Sequence, residues 1–289
     1  MVIESVVVAV VCLFLFFIMR KRAIESRRAC SSPDCLRCTN YAALFSDGEL
    51  NAKKSKFIQS HPTSSDITSV VEALEVMQSV KDTLQGDPMQ APTVFLLKGI
   101  ETKTNWTDDP RLKTVCEKIS KHSKVLLEEY MACIRSPMVN WAQNNTPSGV
   151  WSTIYLFNQG HGTSNRNLCP ETAYLLDNID CFMDDSIFGN AFFSVLAPNS
   201  IIEPHCGPTN LRLRLHLTLV LDPPGSCSLT IKDDLYQWKK DDILVFDDSF
   251  LHSAVSTSDL FSRVVFIVDL WHPEVTKLQR QFISELFSM

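Results

Sequence analysis

Past Gly149 the apolar residues of this 289-residue chain stop recurring at helical spacing and fall into short β-rich runs separated by turns. No other feature restricts the fold as strongly. Residues 151–157 (WSTIYLF) form the first run, which ends at Asn158-Gln159-Gly160, and further runs follow at 191–196, 211–221, 228–231, 242–246 and 263–270. Pro223-Pro224-Gly225 reads as a hairpin turn. Short strands punctuated in this way predict a mainly β, antiparallel double-sheet barrel of the jelly-roll or cupin type, a double-stranded β-helix. Within 211–217, Arg212, Arg214 and His216 alternate with Leu211, Leu213, Leu215 and Leu217, so one face of that strand is polar.

Ahead of Gly149 the period is helical. Ile67, Val70, Val71, Leu74, Met77 and Leu84 predict a helix over 66–85, capped by Ser64 or Ser65. Val115, Cys116, Ile119, Leu126, Leu127, Tyr130 and Met131 predict a second over 112–134, with Pro110 marking its start. Both apolar stripes are expected to pack against the sheet. A short helix is expected near 171–176, and a last one from Pro273, with Val275, Leu278, Phe282, Ile283 and Leu286 on one face. The expected organisation is a membrane anchor at 1–22, a cysteine-containing linker at 23–63, a helical part at 64–148 and a β-rich domain at 149–289. Cys30, Cys35 and Cys38 in the linker have a C-x4-C-x2-C spacing that fits the start of an iron–sulfur set, a zinc site or disulfides. Without a fourth cysteine at a matching distance, disulfides are favoured.

Residues 5–19 are an unbroken run of small and apolar residues followed by Arg20-Lys21-Arg22. With Val2 and Ile3 the run approaches the roughly 20 residues of a transmembrane helix. No positive charge precedes it and no small-residue cleavage site follows, so it reads as an uncleaved single-pass anchor. The basic residues after it favour a cytosolic domain. The sequons at Asn105 and Asn144 matter only in the secretory lumen and point the other way. A net charge of -6 and a pI near 5.6 argue against a nucleic-acid binder, which would need a basic face.

The chemistry concentrates in three segments. HCGPTNLRLRLHL occupies 205–217, FDDSFLH 246–252, and Arg263 leads into VDLWHPE at 268–274. His205 and His252 are the candidate metal ligands, because two imidazoles on separate strands give adjacent coordination positions. A carboxylate two residues after the first histidine would complete the usual facial iron triad, and Gly207 stands there instead. Arg263 is the candidate clamp for an acidic cosubstrate, since a guanidinium is a planar and permanently charged fork.

Together these motifs resemble the aspartyl/asparaginyl β-hydroxylase family, over roughly Gly149 to the C-terminus. The resemblance implies iron(II) bound by two histidines alone, and 2-oxoglutarate as cosubstrate. It implies that Trp151, Ser194, Arg214 and His216 line the 2-oxoglutarate pocket beside Arg263. Asp248 would be the acid that orients a water at the third metal position. The resemblance also implies a type II anchor with a lumenal catalytic domain and a protein substrate hydroxylated at Asp or Asn β-carbons. Arg212 is assigned to an acidic group of that substrate. The helical repeats that precede the barrel in some family members are absent here, and a bacterial branch hydroxylates lipid acyl chains, so reaction class transfers better than substrate. The alternative is a membrane-tethered module that binds metal and 2-oxoglutarate without turnover. A zinc hydrolase lacks a third ligand and leaves Arg263 unexplained.

Overall fold

Eleven antiparallel strands arranged in two sheets make up the second half of the chain in a computed structural model, which describes residues 46–61, 65–79, 89–144 and 146–288. The larger sheet contains β1 (Ala142–Asn144), β2 (Trp151–Asn158), β4 (Ala191–Leu196), β11 (Arg263–Trp271), β6 (Arg212–Val220) and β9 (Ile243–Phe246) in that spatial order. The short β3 (His161–Gly162) pairs with β2. The smaller sheet runs β5 (Ile201–His205), β10 (His252–Ser256), β7 (Cys227–Ile231) and β8 (Asp234–Gln237). This is the mainly β double-sheet fold that the runs and turns predict. The Pro-Pro-Gly turn behaves differently from the expected hairpin. β6 and β7 belong to different sheets, so residues 221–226, with Gly225 at φ +79°, carry the chain across the barrel.

Alternation along the strands separates two environments. Leu213, Leu215, Leu217 and Leu219 of β6 join Val264, Phe266, Val268 and Leu270 of β11 in one apolar layer. That layer is covered by α3 (Lys113–Lys121), α4 (Ser123–Cys133) and α5 (Pro170–Asp177) through Val115, Ile119, Leu126, Tyr130, Leu175 and Leu176. Arg212, Arg214, His216 and Thr218 take the opposite face of β6, and Arg263 and Asp269 that of β11. Leu196, Leu229, Ile231, Trp238, Phe246 and Ala254 form a further apolar cluster spanning residues of both sheets.

The expected helix over 112–134 is two helices. The chain leaves helical geometry at His122 (φ -96°, ψ 5°), whose Nδ1 lies 2.7 Å from the Lys118 carbonyl oxygen. The segment read as irregular linker contains α1 (Asp47–Ser60), capped by the Ser46 side chain. α2 (Ser65–Ser79) buries its stripe in a separate cluster that meets the sheet only at Leu211 and at Trp271, the end of β11. Ile67, Val70 and Leu74 cluster with Leu50 and Phe57 of α1 and with Phe282, Ile283 and Leu286 of α6 (Lys277–Leu286). Thr276 and Gln279 close a capping box that starts α6. The anticipated span at 5–19 and the cysteines at 30, 35 and 38 lie outside the described residues. Among the described residues, no helix is long and apolar enough to cross a membrane.

Candidate active site

β5 and β10 pair so that His205 and His252 are direct neighbours across the ladder, with ring centroids 4.1 Å apart. Each imidazole is oriented by its own chain. His205 Nδ1 lies 2.7 Å from the Glu203 carbonyl oxygen, and His252 Nδ1 lies 2.8 Å from that of Phe250. A carbonyl oxygen only accepts, so both Nδ1 atoms carry a proton, and in the neutral ring the lone pair is on Nε2. Two imidazoles in this tautomer form a donor set suited to a borderline divalent metal. No group of three or more His, Cys, Asp or Glu side chains placed to hold a metal occurs among the described residues, so the histidines stand as a pair.

The carboxylate absent from position 207 has a spatial substitute. A Cβ on Gly207 would sit 2.5 Å from Asp248 Oδ2 and 2.6 Å from Oδ1, so the Asp248 carboxylate occupies the volume that any side chain there would need. The Gly207 N–H donates to the Asp248 carbonyl oxygen at 2.6 Å, locking the two loops together. Asp248 is fully buried. Burial alone pushes its carboxyl up, but the Arg212 and Arg214 charges outweigh that and hold it well below the usual carboxylate range.

Arg212 takes a different place from the substrate-facing one expected. Its Nε donates to Asp248 Oδ1 at 3.0 Å, its Nη2 to Oδ2, and its Nη1 to the Phe188 carbonyl oxygen at 2.6 Å and to Asp269 at 3.3 Å. It is 3% exposed, so its donors are engaged inside the protein. Arg214 is likewise fixed, through Nε and Nη2 to Asp269 at 2.8 and 3.0 Å, with Asp248 3.3 Å from its Nη1. Asn190 Nδ2 donates to Asp269 at 2.9 Å. Asp269 and Asn190, which sequence patterning does not single out, therefore complete a buried network of two arginines and two aspartates.

Arg263 has no such compensation. It is 2% exposed, and no carboxylate lies within ion-pair distance of it among the described residues. Its Nη2 donates to Ser194 Oγ at 2.9 Å, which also accepts from Trp151 Nε1 at 3.1 Å, so three residues assigned to the cosubstrate pocket meet at one hydroxyl. The guanidinium lies 4.6 Å from the Trp238 ring centroid, and its Nε has no hydrogen-bond partner. Burial lowers its pKa to about 10. His216 stacks on the same Trp238 and meets Phe246 edge-on. Both His216 ring nitrogens are buried without partners, as is Trp238 Nε1. Burial, then the Arg263 and Arg214 charges, keep His216 neutral by pushing its pKa well below the ordinary value. A buried cation beside several unpaired polar atoms is the complement of a polar, anionic ligand.

The comparison with known proteins decides the family. The family model described as aspartyl/asparaginyl beta-hydroxylase matches residues 120–273. The chain is 35% identical over 268 residues to aspartate beta-hydroxylase domain-containing protein 2 of Xenopus tropicalis, which covers 90% of this chain and 70% of that protein. This chain belongs to the aspartyl/asparaginyl β-hydroxylase family. It is also 31% identical to the human aspartyl/asparaginyl beta-hydroxylase over 201 residues, 67% of this chain and 26% of that one. A predicted oxalate decarboxylase from Thermotoga maritima aligns over 48% of the chain at 12% identity and a TM-score of 0.32, and the fold rests on the sheet topology instead.

In this β-hydroxylase-family protein the histidine loops are further held by a strap that sequence patterning does not reveal. Residues 89–97 run across both loops. Leu251 N–H donates to Met89, Ala91 N–H to Ser249, Thr93 N–H to Gly207, and Val94 and Phe95 N–H to Pro208. Asn210 exchanges two hydrogen bonds with the Leu97 backbone at 2.9 and 2.8 Å. Gln90 donates to Asp247 Oδ2 at 3.2 Å, and burial raises the Asp247 pKa to about 7. A Gln followed by mixed short apolar residues has neither helical nor strand period, so only the tertiary contacts reveal this element. Asn105 is exposed, with Oδ1 accepting from Thr107 N–H at 2.9 Å, and Asn144 lies on β1. A cleft of about 530 Å³ lined in part by Asp184, Lys277 and Arg280 opens elsewhere and contains none of the barrel residues discussed except their neighbour Trp271.

Proposed function

We propose that the protein is a hydroxylase that binds iron(II) through His205 and His252 and 2-oxoglutarate against Arg263. One observation carries the reading: Arg263 is buried with no carboxylate partner among the described residues, while Arg212 and Arg214, in the same interior, each have two. Keeping a guanidinium buried and uncompensated is costly unless an anion arrives. A dicarboxylate offers one end to that cation and the other to a metal at the histidine pair. When bound, iron(II) supplies the redox chemistry that couples oxygen and 2-oxoglutarate to hydroxylation of a C–H bond.

The chain's own residues do the positioning. The Glu203 and Phe250 carbonyls accept from the two Nδ1 atoms and so fix the direction in which each Nε2 points. Asp248, ionised by its arginine neighbours, stands beside Gly207 to accept from a water at the third metal position. Ser194 and Trp238 orient Arg263, and Trp151 fixes Ser194. His216 and Arg214 lie on the polar face of β6, where His216 offers a neutral imidazole to the same pocket. Arg212 is a positioning residue for Asp248 and not a substrate contact. The substrate is proposed to be a protein or peptide, modified at an Asp or Asn β-carbon. The 5–19 segment is proposed as a single-pass anchor with the barrel in the lumen of the secretory pathway, where Asn105 and Asn144 are glycosylated.

Succinate formation by the detergent-extracted chain with iron(II), 2-oxoglutarate and ascorbate tests the reading, beside His252→Ala. Succinate that is lost in the variant supports it. Cosubstrate binding with no succinate, even across a panel of disulfide-rich and acidic peptides, replaces it with a binding module. Absence of both sinks it.

A further inference from the structure

Trp238 lies in the connection between β8 and β9, outside both sheets, yet it is buried and packs against Leu196 of the larger sheet and Leu229 and Ala254 of the smaller one. The Arg263 guanidinium covers the face of its ring at 4.6 Å, and His216 stacks on it at 6.0 Å. Its Nε1, at the edge of the ring, is buried with no hydrogen-bond partner. An indole N–H only donates, and it cannot turn to a new partner as a hydroxyl can. Arg263 Nε is a second buried donor without an acceptor. Thr218, next after His216 on the polar face of β6, and Ser256, at the end of β10, add buried hydroxyls that also have no partner. Buried polar atoms in folded proteins are nearly all paired, so orphans gathered around one cation mark the place of a ligand. Two fixed donors, one of them charged, call for an anion with two accepting oxygens.

We propose that Trp238 is a specificity-determining residue of the cosubstrate pocket, whose indole N–H binds the far carboxylate together with the Arg263 guanidinium. The inference rests on the 2-oxoglutarate reading above and adds to it the group that selects the distal end of the acid. One carboxylate oxygen, at the edge of the ring, accepts from Nε1, and the other reaches the guanidinium held over the face. A carboxylate accepts at both oxygens and carries the charge that Arg263 lacks, so it satisfies both donors at once. An amide or ester in the same place brings no charge, and an alkyl end leaves both donors unpaired. Arg263 alone would take an anion in several orientations. The indole, held by Arg263 and His216, fixes where one oxygen must lie. The Thr218 and Ser256 hydroxyls can turn to meet the lone pairs that remain.

The full chain in detergent, carrying isotope-labelled tryptophan, is followed by nuclear magnetic resonance of its five indole N–H groups, with zinc(II) in place of iron. The Trp238 signal is assigned by its loss in Trp238→Phe or, where that variant folds poorly, by its proximity to His216. Three probes separate the ends of the cosubstrate: 2-oxoglutarate, glutarate, which lacks the keto group, and 2-oxopentanoate, which lacks the far carboxylate. The Trp238 signal is expected to move downfield with the first two and to stay in place with the third. Trp238→Phe is expected to weaken 2-oxoglutarate binding by about 10–100-fold, as for a lost hydrogen bond to a charged group, and to leave 2-oxopentanoate unchanged. A melting temperature raised by 2-oxoglutarate through Arg263, with the Trp238 signal fixed, overturns the proposal and spares the cosubstrate reading. An equal movement with 2-oxopentanoate also overturns it. Failure of 2-oxoglutarate to bind at all removes both.

Discussion

At the scale of single residues, the site is a contrast between compensated and uncompensated charge. Arg212 and Asp248 are a fully buried pair, so Arg212→Met strands a carboxylate and is expected to cost about 3–5 kcal/mol of unfolding free energy, read by denaturant titration. A loss under about 1 kcal/mol would show that Asp248 is not held in this way. Gly207 is a glycine because Asp248 fills its side-chain space. Gly207→Ala is expected to displace that carboxylate, destabilise by about 1–3 kcal/mol and weaken cobalt(II) binding at the histidine pair, followed by its visible spectrum. An unchanged spectrum and stability would mean that Asp248 moves freely. The sequence identifies Gly207 as a missing ligand, but its close approach to a residue 41 positions later exists only once both loops are folded.

At the scale of elements, the strap of residues 89–97 has a measurable weight. Asn210→Ala removes both of its bonds to the Leu97 backbone, leaving a buried N–H and C=O unpaired. The expected cost is about 1–3 kcal/mol, with faster hydrogen exchange at Leu97 and across 247–252. Exchange unchanged in 247–252 would separate the strap from the histidine loop. The strands β2, β4, β6, β9 and β11 are legible in the sequence because β-rich apolar runs bounded by turns have few competing readings. β5 and β10, which carry the histidines, are not. Ile201-Ile202-Glu203-Pro204-His205 contains a proline and is not fully buried anywhere along its length, and β10 is five residues with two serines. Their strand character comes from pairing with each other and with β7. The break at His122 is hidden for a related reason, since apolar spacing continues across it while only the backbone turns. Strand alternation places Arg212 on the polar interior face correctly but says nothing of the carboxylates that meet it there.

At the scale of the whole molecule, stability reports on the interior. Asp247 titrates near pH 7 because burial raises it from 3.8. Its contribution is therefore fully present below about pH 4, where the unfolded carboxyl is also protonated, and is lost as pH rises through 7. Asp247→Asn is expected to flatten the pH dependence by roughly 2–4 kcal/mol between pH 4 and pH 8, and an unaltered profile would contradict that assignment. The central claim concerns the other uncompensated group. Arg263 is held in the barrel at a cost that the proposed acidic cosubstrate would remove, and the most direct measurement is the melting temperature of the protein and of Arg263→Met, with manganese(II), with and without 2-oxoglutarate. The account predicts that Arg263→Met melts at or above the unaltered protein on its own, and that 2-oxoglutarate raises the melting temperature of the unaltered protein only. An equal rise in both would place the cosubstrate away from Arg263 and contradict the account.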